Sequence, residues 1–183
     1  MDDKKSIRRS FYLKRKKKYH EVSDNFFFFL KKNLEPRIKN KKKNISLYYP
    51  TSYELNILKI FEIKFFKRFN FLLPVIEDKN VMNFYPWKTN DILYLNKFGI
   101  PEPIKSKKII PDIILVPLLA FDKNKNRLGY GKGFYDKYLN KYVRKNKKIL
   151  TIGVAFSFQK HHKLPTNDYD FTLDFIITDK GEI

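Results

Sequence analysis

Apolar positions recur at a near-helical period through the first part of the chain. Ile7, Phe11, Val22, Phe26, Phe29 and Leu30 fall close to one stripe with lysines in the gaps, predicting one long helix or two between residue 4 and about 34. The run Phe26–Phe29 reads as buried core rather than as a ligand platform. A polar linker, Arg37 to Asn44, comes next. Ile45–Tyr49 then predicts a strand, and Pro50-Thr51-Ser52 a turn into a second helix of about 51–68 that Thr51-x-x-Glu54 would open as a capping box. Phe71–Ile76 and Val81–Trp87 are short stretches rich in β-formers and predict strands. Ile109–Pro117, an apolar run bounded by prolines, predicts a strand buried on both faces. A polar loop from Asp122 to Gly133 precedes a helix of about 134–145, with Tyr135, Tyr138, Leu139 and Tyr142 at helical spacing. Leu150–Phe156 and Leu173–Thr178 predict two last strands. Strands alternating with helices predict an α/β fold, with a parallel or mixed central sheet covered on both faces.

Composition narrows the class. With 183 residues, one domain spanning 1–183 is expected, its first 40 residues a basic helical region. A hydrophobic fraction of 43%, with 17% aromatics, supplies enough apolar surface to exclude disorder. The absence of cysteine removes disulfides, thiolate zinc sites and cysteine nucleophiles together. The longest apolar run, Ile113 to Phe121, has nine residues, whereas a spanning helix needs about 20. Met1-Asp2-Asp3-Lys4-Lys5 lacks the apolar segment of a signal peptide. A soluble, cytoplasmic protein with no membrane association is expected.

The net charge of +20 has two readings. Seven arginines stand against 32 lysines, a bias that A+T-rich coding alone produces, and such lysines would sit on solvated faces. The rival is an electrostatic footprint for nucleic acid or another polyanion. Residues 1–43 hold 16 basic and 5 acidic side chains, and Lys14–Lys18 and Lys41–Lys43 form basic tracts. Charge by itself does not decide between them.

Chemistry concentrates after the strongest predicted strand, in Arg127-Leu128-Gly129-Tyr130-Gly131-Lys132-Gly133-Phe134-Tyr135-Asp136. Three of the six glycines fall within five residues. Such a loop can wrap phosphate oxygens against a helix N-terminus. Lys132 can reach a terminal phosphate and Arg127 can clamp a second one. The loop is neither a Walker motif nor a dinucleotide fingerprint. Asp136 either balances the helix dipole or serves as a hard oxygen ligand for Mg²⁺. His161 and His162 lie side by side, but no third clustered His supports a metal site there.

Pro111 to Asp122 followed by Arg127 to Asp136 closely resembles the signature of the 5-formyltetrahydrofolate cyclo-ligase (5,10-methenyltetrahydrofolate synthetase) family. Other landmarks in family order are Lys4-Lys5-Ser6-Ile7-Arg8, Tyr49-Pro50 with Glu54, Ile100-Pro101-Glu102-Pro103, Gly153-Val154-Ala155-Phe156 with Gln159, Leu164-Pro165, and Asp170 through Asp174. The resemblance implies a three-layer α/β/α enzyme that uses ATP and Mg²⁺ to cyclise 5-formyltetrahydrofolate into 5,10-methenyltetrahydrofolate, releasing ADP and phosphate. It also implies that the formyl oxygen is phosphorylated so that it can leave.

By the same resemblance Lys4, Lys5, Arg8 and Arg127 through Tyr135 (Leu128, Gly129, Tyr130, Gly131, Lys132, Gly133 and Phe134 between them) would bind ATP, with Lys132 and Arg127 catalytic. Tyr49, Glu54, Tyr130 and Phe134 would border the folate, with or without a polyglutamate tail, and Asp136 and Asp174 would be the magnesium carboxylates. Two positions depart from the family pattern: Phe134 stands where Tyr is common, and Tyr169 where His or Trp is frequent. A monomer without a specific nucleic-acid partner is expected. The alternative is a basic polyanion-binding protein on the same scaffold with a vestigial ATP site.

Overall fold

Asp3 accepts a hydrogen bond from the Ser6 amide at 2.6 Å and so caps the first helix, α1 (Lys4–Lys18). The computed structural model describes residues 3–38, 43–78, 81–144 and 148–183. Ile7, Phe11 and Arg15, four residues apart, form the buried edge of α1. The chain leaves the helix at Tyr19, buries Val22, and restarts as α2 (Asp24–Ile38). The N-terminal pattern therefore resolves into two helices.

The central sheet is built from β1 (Asn44–Ser46), β2 (Asn70–Ile76), β3 (Met82–Pro86), β6 (Ile113–Pro117), β9 (Leu150–Ala155), β10 (Phe175–Thr178) and β11 (Gly181–Glu182). Two separate hairpins, β4–β5 (Leu93–Leu95, Pro101–Pro103) and β7–β8 (Ala120–Phe121, Arg127–Leu128), flank it. The seven strands lie in the order β11-β10-β9-β6-β1-β2-β3. The five inner strands are parallel, and β3 and β11 join antiparallel at the edges. Alternation along β6 divides the core. Ile113 and Leu115 pack with Phe26, Phe27, Leu30 and Leu34 of α2. Ile114 and Val116 face the other way, toward Tyr138 and Leu139 of α3 (Phe134–Tyr142). The sheet is thus the middle of three layers, as the chain pattern and the resemblance imply.

A third, smaller cluster joins Ile7 and Phe11 of α1 to Leu119, Ala120 and Leu128 of the β7–β8 hairpin. Asp122 fixes that hairpin's turn by accepting from the Asn124 and Asn126 amides. Gln159 satisfies the Leu118 and Leu119 carbonyls at its base, at 2.8 and 2.9 Å. This packing places α1 beside the segment that follows β8.

Some sequence expectations are corrected. No α-helix occupies 51–68. Ser52 and Tyr53 adopt positive φ (50° and 63°), which no α-helix tolerates, and 3-10 segments follow at Leu58–Phe61 and Lys64–Arg68. The buried residues Ile57, Ile60, Phe66 and Phe69 are spaced in threes, the period of a 3-10 turn. The expected loop Asp122–Gly133 contains β8. The β4–β5 hairpin was masked by prolines at 101 and 103, residues that edge strands accept. Residues 39–42 of the predicted linker, including Lys41 and Lys42, and position 145 of the predicted third helix lie outside the described residues. Among those described, no helix is long and apolar enough to cross a membrane.

Candidate active site

Connections leave the sheet in opposite directions at β1 and β6: β1 leads to its neighbour β2 on one side, β6 to β9 on the other. The crevice beyond the carboxyl ends of two such strands is where open α/β sheets bind ligands. A cavity of about 920 Å³ opens there. Tyr48 and Tyr49 after β1 and Pro117 of β6 lie at its base. α1 contributes Lys4 and Arg8, the hairpin β4–β5 contributes Asn96, Phe98, Gly99, Ile100 and Glu102, and Arg127 to Lys137 forms another wall.

That wall is a tight loop leading into α3. Gly131 and Gly133 sit at φ 93° and 69°, values that disfavour any side chain. A Cβ on Gly131 would also stand 3.2 Å from the Arg8 guanidinium carbon. Arg8 Nε donates to the Gly129 carbonyl at 2.9 Å, so α1 holds the loop directly. Arg127 is committed at both ends of its fork. Nη2 meets Asp136 Oδ1 and Nη1 meets the Phe171 carbonyl, each at 2.6 Å. Burial lowers the pKa of this guanidinium, and Asp136 opposes the shift. Lys132 is exposed, its ammonium 5.7 Å from the centre of the Phe98 ring.

Glu54 lies beneath the loop. Its Oε2 accepts from the Thr51 amide at 2.8 Å and its Oε1 from the Tyr130 hydroxyl at 3.0 Å. The turn bond of the expected capping box therefore exists, without the helix. Burial raises the Glu54 pKa, while the Thr51 amide and then Arg15 hold it down. Arg15, 1% exposed, bonds the Tyr130 hydroxyl, the Ser52 carbonyl at 2.5 Å and the Leu118 carbonyl at 3.3 Å. One buried cation thus joins α1, the Ser52 turn, the end of β6 and the glycine loop.

The model of the 5-formyltetrahydrofolate cyclo-ligase family matches residues 1–179. The chain belongs to this family. A 5-formyltetrahydrofolate cyclo-ligase from Haemophilus influenzae is 34% identical over 138 residues, covering 72% of this chain and 73% of its own length. One from Mycoplasma genitalium is 33% identical and covers 97% of this chain and 98% of itself. Among solved structures, an Aquifex aeolicus 5,10-methenyltetrahydrofolate synthetase superposes with a TM-score of 0.73 at 29% identity, covering 98% of this chain and 91% of its own. A Mycoplasma pneumoniae 5,10-methenyltetrahydrofolate synthetase gives 0.64 at 26% identity, covering 97% and 99%.

Of the positions carried over from the cyclo-ligase resemblance, Lys4, Arg8, Tyr49, Glu54 and Arg127 to Asp136 all line the one cavity. Lys5 does not line it and points to solvent. Asp174 is not there either. Its Oδ2 accepts from the Thr151 amide and hydroxyl, both at 2.7 Å, tying the start of β10 to the start of β9. That is the amino edge of the parallel strands, opposite the cavity, so the structure does not bring Asp174 together with Asp136. Asp170 does line the cavity, its Oδ2 2.5 Å from the Lys4 ammonium.

The donor set suits a nucleotide-borne Mg²⁺ rather than a protein-caged metal. No group of three or more metal-ligating side chains exists among the described residues. Mg²⁺ held mostly by phosphates and water needs only one or two carboxylates. Asp136 Oδ2 and Asp170 Oδ1 take no hydrogen bond among the described residues, and the Phe171 amide beside Asp170 bonds Asp136 Oδ1 at 3.2 Å. Sequence reasoning missed Asp170, Tyr48 and Asn140 on the cavity wall, and Arg15, which bonds Tyr130 of that wall. Arg15 had a signal, the four-residue spacing from Ile7 and Phe11, hidden inside the tract Lys14–Lys18.

Proposed function

We propose that this chain converts 5-formyltetrahydrofolate and ATP into 5,10-methenyltetrahydrofolate, ADP and phosphate. The observation that carries the reading is that a phosphate-type loop at the start of α3 and the Tyr49–Glu54 segment face one cavity at the sheet's switch point. A volume of about 920 Å³ accommodates two reactants side by side.

The chemistry assigns work to each wall. The formyl oxygen attacks the γ-phosphorus, the bond to ADP breaks, and N10 then closes on the formyl carbon as phosphate leaves and N10 gives up its proton. Phosphoryl transfer asks the protein for alignment and charge compensation. The loop amides and the N-terminus of α3 receive phosphate oxygens. Lys132 brings a mobile cation, while Arg127, clamped by Asp136, supplies a fixed one. Lys4 and Arg8, one turn apart on α1, complete the basic side, and ATP must share Lys4 with Asp170. Tyr49, Tyr130, Phe134 and Glu54 border the folate. Asp136 and Asp170 would hold Mg²⁺, which supplies charge neutralisation for the triphosphate when bound.

Turnover tests the reading. Purified protein given MgATP and 5-formyltetrahydrofolate should develop methenyltetrahydrofolate absorbance, and none should form without ATP. A folded protein that yields no product with both substrates would overturn it.

A further inference from the structure

The Tyr135 hydroxyl is buried and has no hydrogen-bond partner among the described residues, although Tyr135 lines the cavity. Leaving such a group unpaired is costly, and a bound ligand that accepts from it would relieve that cost. Its ring is fixed edge-on against Phe84 of β3, centroids 6.4 Å apart, so the hydroxyl is not free to swing away. The charges acting on that hydroxyl are Glu54, on the folate side, and Arg127, on the loop side. The hydroxyl is therefore within electrostatic reach of a residue from each group, in the cavity that both line.

Resting on the cyclo-ligase reading, we propose that the Tyr135 hydroxyl is a catalytic hydrogen-bond donor to an oxygen of the phosphoryl group as that group moves from ATP to the formyl oxygen. It keeps its own proton throughout. The proton released in ring closure comes from N10, and phosphate carries off the electron pair of the broken C–O bond. Burial, then Glu54, push the hydroxyl pKa upward, which keeps it a donor at ordinary pH.

Tyr135→Phe removes one oxygen and leaves the packing on Phe84 intact. Removing one preorganised donor to a transition-state oxyanion costs about 10²–10³ in kcat. The expected result is a fall in kcat of at least about tenfold, with both KM values within about threefold of wild type and an unchanged or higher melting temperature. Tyr138→Phe, which alters another ring on Phe84 at 4.8 Å but lies outside the cavity, should leave kcat unchanged. A smaller fall in kcat for Tyr135→Phe, a rise in KM alone, or an equal loss in Tyr138→Phe would overturn the assignment. An inactive wild type would instead overturn the underlying activity, and this role with it.

Discussion

Replacing Arg15 with Met should destabilise the protein out of proportion to its distance from solvent chemistry. Met fills much of the same volume, so the loss comes from the guanidinium. That group bonds the Leu118 and Ser52 carbonyls and the Tyr130 hydroxyl, and it is a cation beside the buried Glu54. Hydrogen bonds from charged groups contribute about 1.5–3 kcal/mol each net, partly offset because Met needs no desolvation. Removing one member of a buried ionic network costs about 3–5 kcal/mol, and for a protein of this size that lowers Tm by roughly 6–20 °C. Urea denaturation and thermal melts read this directly. Arg15→Lys should not restore it, because an ammonium lacks the planar fork that reaches several acceptors. In Arg15→Met with Glu54→Gln, at least about 1 kcal/mol should return, since no uncompensated carboxylate remains. A loss below about 1 kcal/mol in the single variant, or strict additivity in the double, would refute the network.

Lys132→Ala should lower kcat by about 10²–10³ if its ammonium meets the transferred phosphoryl, and near-normal turnover would remove that role. Asp136→Asn should raise the Mg²⁺ concentration needed for half-maximal rate, whereas Asp174→Asn should leave it unchanged and lower Tm, since among the described residues the Asp174 carboxylate bonds only Thr151; the opposite pattern would place Asp174 at the metal. Glu54 has a raised folded pKa, so its stabilising contribution is complete below the unfolded value of about 4.3 and declines as pH rises through the folded one. Melting curves from pH 4 to 8 should show wild type losing stability relative to Glu54→Gln as pH rises, and parallel curves would contradict the shift.

Much of the layered fold was legible because its period was. The apolar run ending at Pro117 had to be a doubly buried strand, and Ile113 and Ile114 do face opposite helical layers. The glycine loop was legible because positive φ leaves few alternatives to glycine at 131 and 133. What failed was decided by contacts distant in sequence. The stretch 51–68 has apolar residues suited to either helix type, and the three-residue spacing of Ile57, Ile60, Phe66 and Phe69 marks the tighter one only once their burial is seen. Arg15 looked like one more cation in a basic tract, yet Tyr130, 115 positions away, uses it. Asp170 and Asp174 are four residues apart but stand at opposite ends of the parallel strands, a separation no local spacing reveals.

The central claim is that ATP and the folate react in one cavity through phosphorylation of the formyl oxygen. Single-turnover reaction of 5-formyltetrahydrofolate carrying oxygen-18 in its formyl group, followed by mass analysis of the phosphate, tests it most directly. The account predicts that the heavy oxygen leaves in inorganic phosphate, with ADP and methenyltetrahydrofolate formed in equal amounts. Unlabelled phosphate, or ring closure without ADP, would contradict it.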